Sequence, residues 1–342
     1  MTPFDLLIGV IFVIGVIAFV AVFALLAIYL ERKVSAHMQD RVGPMETGGW
    51  HGWAQTVADT LKLLLKEDII PTVSDKFLFK LAPYIVFVGS FATLAVIPFA
   101  EILIGADINI GVFYLVAISS LVVIGILMAG WASNNKWALY GALRSAAQMV
   151  SYEIPVALSL LVPVLLAQSL SMKELVLIQE GGFWHWTIFS HLPFGLIAFV
   201  IYFWASLAEV NRTPFDIPEA ESELVAGYHV EYSGMRFAMF FLGEYANMFV
   251  VSAVVTAAFL GGWYAPFPFL DVSAETSLLW SAAVGAAWFI AKAMGLVLVQ
   301  MWLRWTVPRL RVDQLMHICW KVFLPFSFAN VLFVSLWISL SR

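Results

Sequence analysis

The chain is poor in charge: Asp, Glu, Lys and Arg make up 12% of its 342 residues, against 62% apolar. A soluble domain carries roughly a quarter charged residues and needs them to dress its surface. With mean hydropathy at +0.91, this excludes a soluble enzyme, a disordered chain and a disulfide-stapled secreted scaffold. Cysteine is nearly absent, Cys319 being the single one. One thiol makes neither an internal disulfide nor the four-thiolate cradle of an iron–sulfur cluster. His37, His51, His185, His191, His229 and His317 fall in loops or at the edges of apolar runs, which argues against a bis-histidine haem. The sequence also lacks a glycine-rich dinucleotide fingerprint and a P-loop. Its first residues, Met1-Thr2-Pro3-Phe4-Asp5, lack the cationic start of a secretory signal, so the first apolar run reads as a retained helix. A net charge of −5 leaves no footprint for nucleic acid.

What the chain has is long apolar runs. A spanning helix needs about 20 mostly apolar residues. Eight runs meet this description, at about 5–30, 81–103, 112–132, 146–167, 193–209, 236–262, 280–303 and 320–340. The expected fold is therefore an all-α polytopic membrane protein, one membrane domain over 1–342 with eight transmembrane helices. Fifteen of the 18 Lys and Arg residues fall in the loops on one side; Lys173 and Arg342 fall on the other, and Lys292 lies inside the seventh run. By the positive-inside rule the rich side faces the cytoplasm or the mitochondrial matrix, and both termini face outward.

The inner side also carries the long loops. In loop 31–80, Trp53, Val57, Leu61 and Leu64 share one helical stripe while Asp59, Lys62 and Lys66 lie off it. That is the pattern of an amphipathic helix in the interface plane, either a plain surface anchor or part of a site. Loop 210–235 is acidic. Between Glu209 and Glu231 stand Glu209, Asp216, Glu219, Glu221, Glu223 and Glu231, with Arg212 as the one cation before Arg236. On a helix Glu219 and Glu223 would repel at i, i+4. Taken singly these acids read as a solvated face, and as a cluster they read as an acidic funnel. Glu153 and Glu244 lie within apolar runs, and Glu31 closes the first. A charge near the bilayer centre costs at least about 2.5–3.5 kcal/mol, so such groups mark an ion or proton path or a structural pairing. Glu153 stands beside Pro155, which can kink the helix and free backbone carbonyls. Lys292 reads equally as a counter-ion or as a lysine reaching for the interface.

These residues carry a family resemblance. The segment AEVNRTPFDIPEAESELVAGYHVEY at 208–232 closely resembles the signature of the H subunit of NADH:quinone oxidoreductase, a membrane subunit of respiratory complex I. So do ERK at 31–33, ADTLKLLLKE at 58–67, GWASNNKWALYGALRSAAQMVSYE at 130–153 and PRLRVDQLMHICWKVFLP at 308–325. The resemblance runs along nearly the whole chain. It implies that Arg32, Asp59, Lys62, Arg212, Phe215, Arg309 and Arg311 line or border a quinone chamber at the junction with the peripheral arm. It implies that Glu153, Glu219, Glu221, Glu223, Glu231 and Glu244 form an acidic path from that chamber, with Glu31, Glu209 and Asp216 beside it. The chain departs from the family at Met45-Glu46-Thr47-Gly48-Gly49, where an Asn-containing stretch is usual after Gly43-Pro44.

The implied function is that of a membrane subunit of a proton-translocating NADH:quinone oxidoreductase in a bacterial inner or a mitochondrial inner membrane. The chain would hold no cofactor of its own. Quinone would be the substrate, and FMN and iron–sulfur clusters would sit in partner subunits of the peripheral arm. Further partners would be the other membrane subunits and the lipid bilayer. Two other readings share features with this one. The homologous membrane subunit of an energy-converting hydrogenase would share the acid-rich loop, and a ferredoxin-fed quinone reductase would use the same quinone site with a different electron donor. A stand-alone secondary transporter would bind its ion near the midplane between internal repeats, and the sequence displays no repeat.

Overall fold

The computed structural model describes residues 3–218, 221–270 and 278–341, and every regular element among them is helical. Helix α1 (Pro3–Met38) runs about two turns beyond the expected end of the first span, so Glu31, Arg32 and Lys33 stand on continuous helix. The departing loop that follows is fixed locally. Gly43, Gly48 and Gly49 adopt positive φ, the Lys33 ammonium donates to the Pro44 carbonyl at 2.6 Å, and the Trp53 indole donates to Gly48 at 3.0 Å. The expected amphipathic helix is α2 (Gln55–Leu65), and it leaves Val57, Leu61 and Leu64 exposed.

Asp75 caps α3 (Lys76–Ala92) by accepting from the Phe77 and Leu78 amides. This helix stops well short of the expected residue 103. Pro98 disfavours helical backbone at Ile97, which is extended at ψ 122°, and the chain leaves through a 3₁₀ turn at Thr93–Val96. Helix α4 (Gly111–Ala132) packs closely on α3 because Gly125 has no side chain: a Cβ there would stand 2.5 Å from Val86 Cγ2.

Asn135 caps α5 (Lys136–Ala167), which starts ten residues before the expected 146. Its first turns mix Lys136 and Arg144 with apolar residues, so hydropathy alone does not register them. Pro155 stands inside α5 and cannot donate to the Ser151 carbonyl four residues back. The freed carbonyl accepts the Cys319 thiol at 3.1 Å, which gives the lone cysteine its structural place. Two short helices, α6 (Met172–Leu177) and α7 (Thr187–Ser190), lead into α8 (Phe194–Glu209).

Past the single turn α9 (Glu221–Leu224), α10 (Gly234–Phe259) is the most enclosed helix, with Phe249, Val254 and Phe259 fully buried. It packs against α1, α2, α3, α8 and α11 (Leu278–Thr306). The chain ends in α12 (Val312–Ile318), a π turn at Cys319–Phe323, and α13 (Leu324–Ser341). Pro325 has no N–H for the Lys321 carbonyl, and the Tyr152 hydroxyl reaches across from α5 to the Leu315 carbonyl at 2.8 Å.

Among the described residues seven helical segments are long and apolar enough to cross a membrane: α1, α3 with its 3₁₀ turn, α4, α5, α10, α11 and α12–α13. The remaining expected span is α8, whose 16 residues extend about 24 Å against an apolar bilayer thickness of about 30 Å. Ile14, Trp302, Phe333 and Leu336 are exposed on the outer helices, as befits a protein whose solvent is lipid.

Candidate functional site

The site is organised by the turn that follows α8. Asn211 takes a left-handed backbone conformation (φ 54°), which reverses the chain so that Arg212 points back into the helices. The Arg212 guanidinium is 3% exposed. Its Nη1 donates to both oxygens of Glu31 on α1, at 3.0 and 3.1 Å, and its Nε lies 2.9 Å from Glu244 Oε1 on α10. Its plane stacks over the Tyr245 ring, 4.6 Å from the centroid, and the Tyr245 hydroxyl donates to Glu31 at 2.6 Å. Arg304, from α11, closes on Glu31 from the other side. Two carboxylates and two guanidiniums thus meet with their charges balanced. Burial is tolerated because each acid has a cation and Glu31 receives additional hydrogen bonds. A cavity of about 170 Å³ opens beside this knot, lined by Glu31, Arg32, Glu244, Tyr245, Arg304 and Trp305 among others.

Around the knot the expected residues divide. Asp216 is buried and pairs with Arg309 at 2.8 Å. Burial pushes its carboxyl above the ordinary range, against the pull of Arg309 and Arg304. Arg32 and Asp59 pair at 2.5 Å where α1 meets α2, and both remain partly exposed. Gln55 donates to the same Asp59 carboxylate at 3.2 Å. Lys62 and Arg311 are exposed, the Arg311 amide bonding Gln314 at the start of α12. Phe215 is a core ring at 2% exposure, packed on Tyr152 and Trp204.

Beyond the knot, Glu153 of α5 and Glu209 of α8 share a second cavity of about 30 Å³, room for a water or two. Its polar lining comprises Thr93, Ser119, Tyr202 and Asn247 besides the two acids, and among the described residues it includes no lysine or arginine. The Ser120 hydroxyl donates to Glu153. Glu209 precedes Arg212 by three residues, so one turn of backbone carries a member of each cluster.

The acidic loop is less acidic in space than in sequence. Glu223 pairs with Arg144 of α5 at 2.5 Å, and Glu231 accepts from the Asn135 amide at 2.6 Å. Glu219 lies outside the described residues, and of Glu221 only the backbone is described. A segment with one cation of its own therefore draws its neutralising partners from residues tens of positions away. Four contributors to the site are not singled out by the sequence: Tyr245, Arg304, Gln148 and Asn211. In the sequence Arg304 counts only as an inner-side charge. The amides and the tyrosine carry no charge, and spacing alone does not mark them. Lys292 donates to the carbonyls of Leu260, Gly262 and Tyr264 at 2.7–2.8 Å and lies over the Trp186 ring, so it gathers the backbone just past α10.

Comparison with known proteins agrees with this arrangement of long, specific motifs. The sequence model of a family described as NADH dehydrogenase matches residues 11–335. The H subunit of NADH-quinone oxidoreductase from Chlorobaculum tepidum is 58% identical over 314 residues, covering 91% of this chain and 87% of the relative. The H subunit of the Geobacillus kaustophilus oxidoreductase is 51% identical, covering 89% of this chain and 86% of the relative. That of Anaeromyxobacter dehalogenans is 49% identical, covering 91% and 77%. The chain belongs to the family of NADH-quinone oxidoreductase H subunits.

Proposed function

We propose that the chain forms the membrane side of a quinone chamber and couples quinone reduction to proton movement through its buried acids. The observation that carries this reading is a succession of charged groups, each step made by an ion pair, a shared cavity or neighbouring residues of one turn. They run from the Arg32–Asp59 pair at the α1–α2 edge, through Glu31, Arg212 and Glu244, to the Glu209–Glu153 cavity. Quinone is apolar and would enter from lipid past the exposed Val57, Leu61 and Leu64 of α2. Its two-electron reduction takes up two protons and changes the charge of a low-dielectric chamber. Electrons would arrive from FMN and iron–sulfur centres in peripheral-arm subunits. This chain's own part is to hold the headgroup side of the chamber and to answer the charge change. Arg32, Asp59, Lys62, Arg309 and Arg311 would face the peripheral arm. The acids would relay the change toward the neighbouring membrane subunits, with the chain's termini on the outer side of the membrane.

The test is Asp59→Asn in native membranes. Reduction of quinone by NADH and reduction of a hydrophilic acceptor served upstream are measured in the same preparation. Removing Asp59 leaves Arg32 without its partner, so the quinone activity should fall severalfold relative to the upstream activity. A ratio equal to that of the unaltered protein would remove Asp59 from the quinone site and the α1–α2 edge from the chamber.

A further inference from the structure

Gln148 is a neutral residue on α5 with 2% exposure, and no charge or motif draws attention to it. Its Nε2 lies 2.8 Å from the Ala208 carbonyl, 2.7 Å from the Phe215 carbonyl and 3.1 Å from Asn211 Oδ1. All three are acceptors, which fixes the amide nitrogen as the atom that faces them. One side chain thus ties the start of the turn after α8 to a point seven residues further along. The tie is doubled one turn earlier on α5, where Ser145 Oγ accepts from the Asn211 amide at 3.1 Å. Inside the tied segment stand Glu209, which faces Glu153 across the small cavity, and Arg212, which holds Glu31 and Glu244. Glu153 itself is on α5, five residues beyond Gln148.

The geometry therefore points to Gln148 as a positioning residue. Its amide holds the 208–215 turn so that the Glu153–Glu209 cavity and the Glu31–Arg212–Glu244 knot keep a fixed relation. A second observation favours this over mere packing. The Gln148 Oε1 is buried with no hydrogen-bond partner among the described residues. A buried acceptor left unmade costs stability, and an apolar side chain of similar length would fill the space without that cost. The amide is useful at this place for its N–H groups, and these all serve the turn.

This inference rests on the acid path proposed above. If the two clusters must stay in register to pass on a charge change, loosening the turn should uncouple before it slows. The experiment uses inverted native-membrane vesicles bearing the whole complex. It reads upstream acceptor reduction for complex content, quinone reduction, and protons taken up per NADH oxidised. Gln148→Met keeps the volume and removes the donors. It should assemble at normal content, retain at least a third of the quinone activity and lose at least half of the protons per NADH. Gln148→Glu keeps the shape and has a single O–H donor only when protonated. Its protons per NADH should be low at pH 8 and closer to the unaltered protein at pH 6, a pH signature that plain loss of packing would not produce. Should the Met variant fail to assemble, the Glu variant alone is read in the same way. Unchanged protons per NADH in the variants that assemble, with quinone activity falling only in proportion to complex content, would overturn the assignment. Glu153→Gln, measured in parallel, separates the two levels. If it retains full coupling, the acid path itself fails; if it loses coupling while the Gln148 variants keep theirs, only the clamp fails.

Discussion

Two acid clusters in this protein lie one turn of backbone apart and are neutralised in opposite ways. Glu31 and Glu244 are held by Arg212 and Arg304 with a tyrosine hydroxyl added, so their charge is balanced by fixed cations. Glu153 and Glu209 share an apolar cavity with hydroxyls and an amide and no cation in its described lining. Like charges in a low-dielectric pocket repel strongly, and no cation in the described lining offsets that repulsion here. The same side-chain chemistry is thus ion-paired in one place and set among hydroxyls and an amide in the other, where the proposed coupling would exchange protons. Under the proposed coupling, a charge change at the first cluster would reach the second through the turn that Glu209 and Arg212 share.

The largest test of the contrast is to take away the fixed cation. Arg212→Ala leaves Glu31 and Glu244 buried with only Arg304 beside them. Breaking a buried ion pair from one side costs about 3–5 kcal/mol. Membranes carrying the variant should contain little assembled complex, measured as upstream acceptor activity together with the chain's own abundance. Normal abundance with normal activity would show that the knot is dispensable. The opposite cluster should respond differently. Glu153→Gln and Glu209→Gln remove like charge from a cavity with no cation in its described lining, so assembly should persist while protons per NADH fall below roughly half. Equal loss of assembly in all three variants would erase the distinction between the two clusters.

The contrast is only half legible in the sequence. The acids themselves are, because a carboxylate in an apolar run stands out, as Glu153 and Glu244 do. Their partners are not. Arg304 lies 273 residues from Glu31, and no periodicity links them. The acidic loop looks unbalanced because Arg144 and Arg309, which pair with Glu223 and Asp216, come from other elements. Helix ends are legible where a cap or a proline marks them, as at Asp75 and Asn135. They are misplaced where hydropathy alone sets them, as at residue 103, where Pro98 ends the helix early.

A smaller effect sharpens the comparison from the loop side. His229, in the turn before α10, packs against Tyr228 and Phe237, and burial lowers its pKa to about 4. In the unfolded chain it would titrate near 6.5. Its folded value is depressed, so the stability that its neutral ring contributes is complete above about pH 6.5 and is lost as pH falls from there toward 4. Detergent-solubilised complex held at pH 5 should therefore lose quinone activity faster than at pH 7. His229→Gln, which cannot take up the proton, should narrow the difference. The same difference in both proteins would assign the acid sensitivity to another group.

The smallest effect expected is at Glu223. It lies at the loop surface with 59% of its side chain exposed, and its partner Arg144 also stacks on Tyr140. Water and salt screen such a pair, and exposed ion pairs contribute only about 0–1 kcal/mol. A double-mutant cycle with Glu223→Gln and Arg144→Gln should give a coupling energy below about 1 kcal/mol, and Glu223→Gln alone should change quinone turnover by less than about twofold. The cycle bears directly on the contrast between the clusters. If position in a buried cluster, rather than being a carboxylate in this loop, is what matters, neutralising Glu223 should do far less than neutralising Glu209, fourteen residues earlier in the chain. Turnover or coupling reduced as much by Glu223→Gln as by Glu209→Gln would extend the proposed proton path out to the loop surface. The boundary drawn between the screened loop surface and the Glu153–Glu209 cavity would then have to be moved.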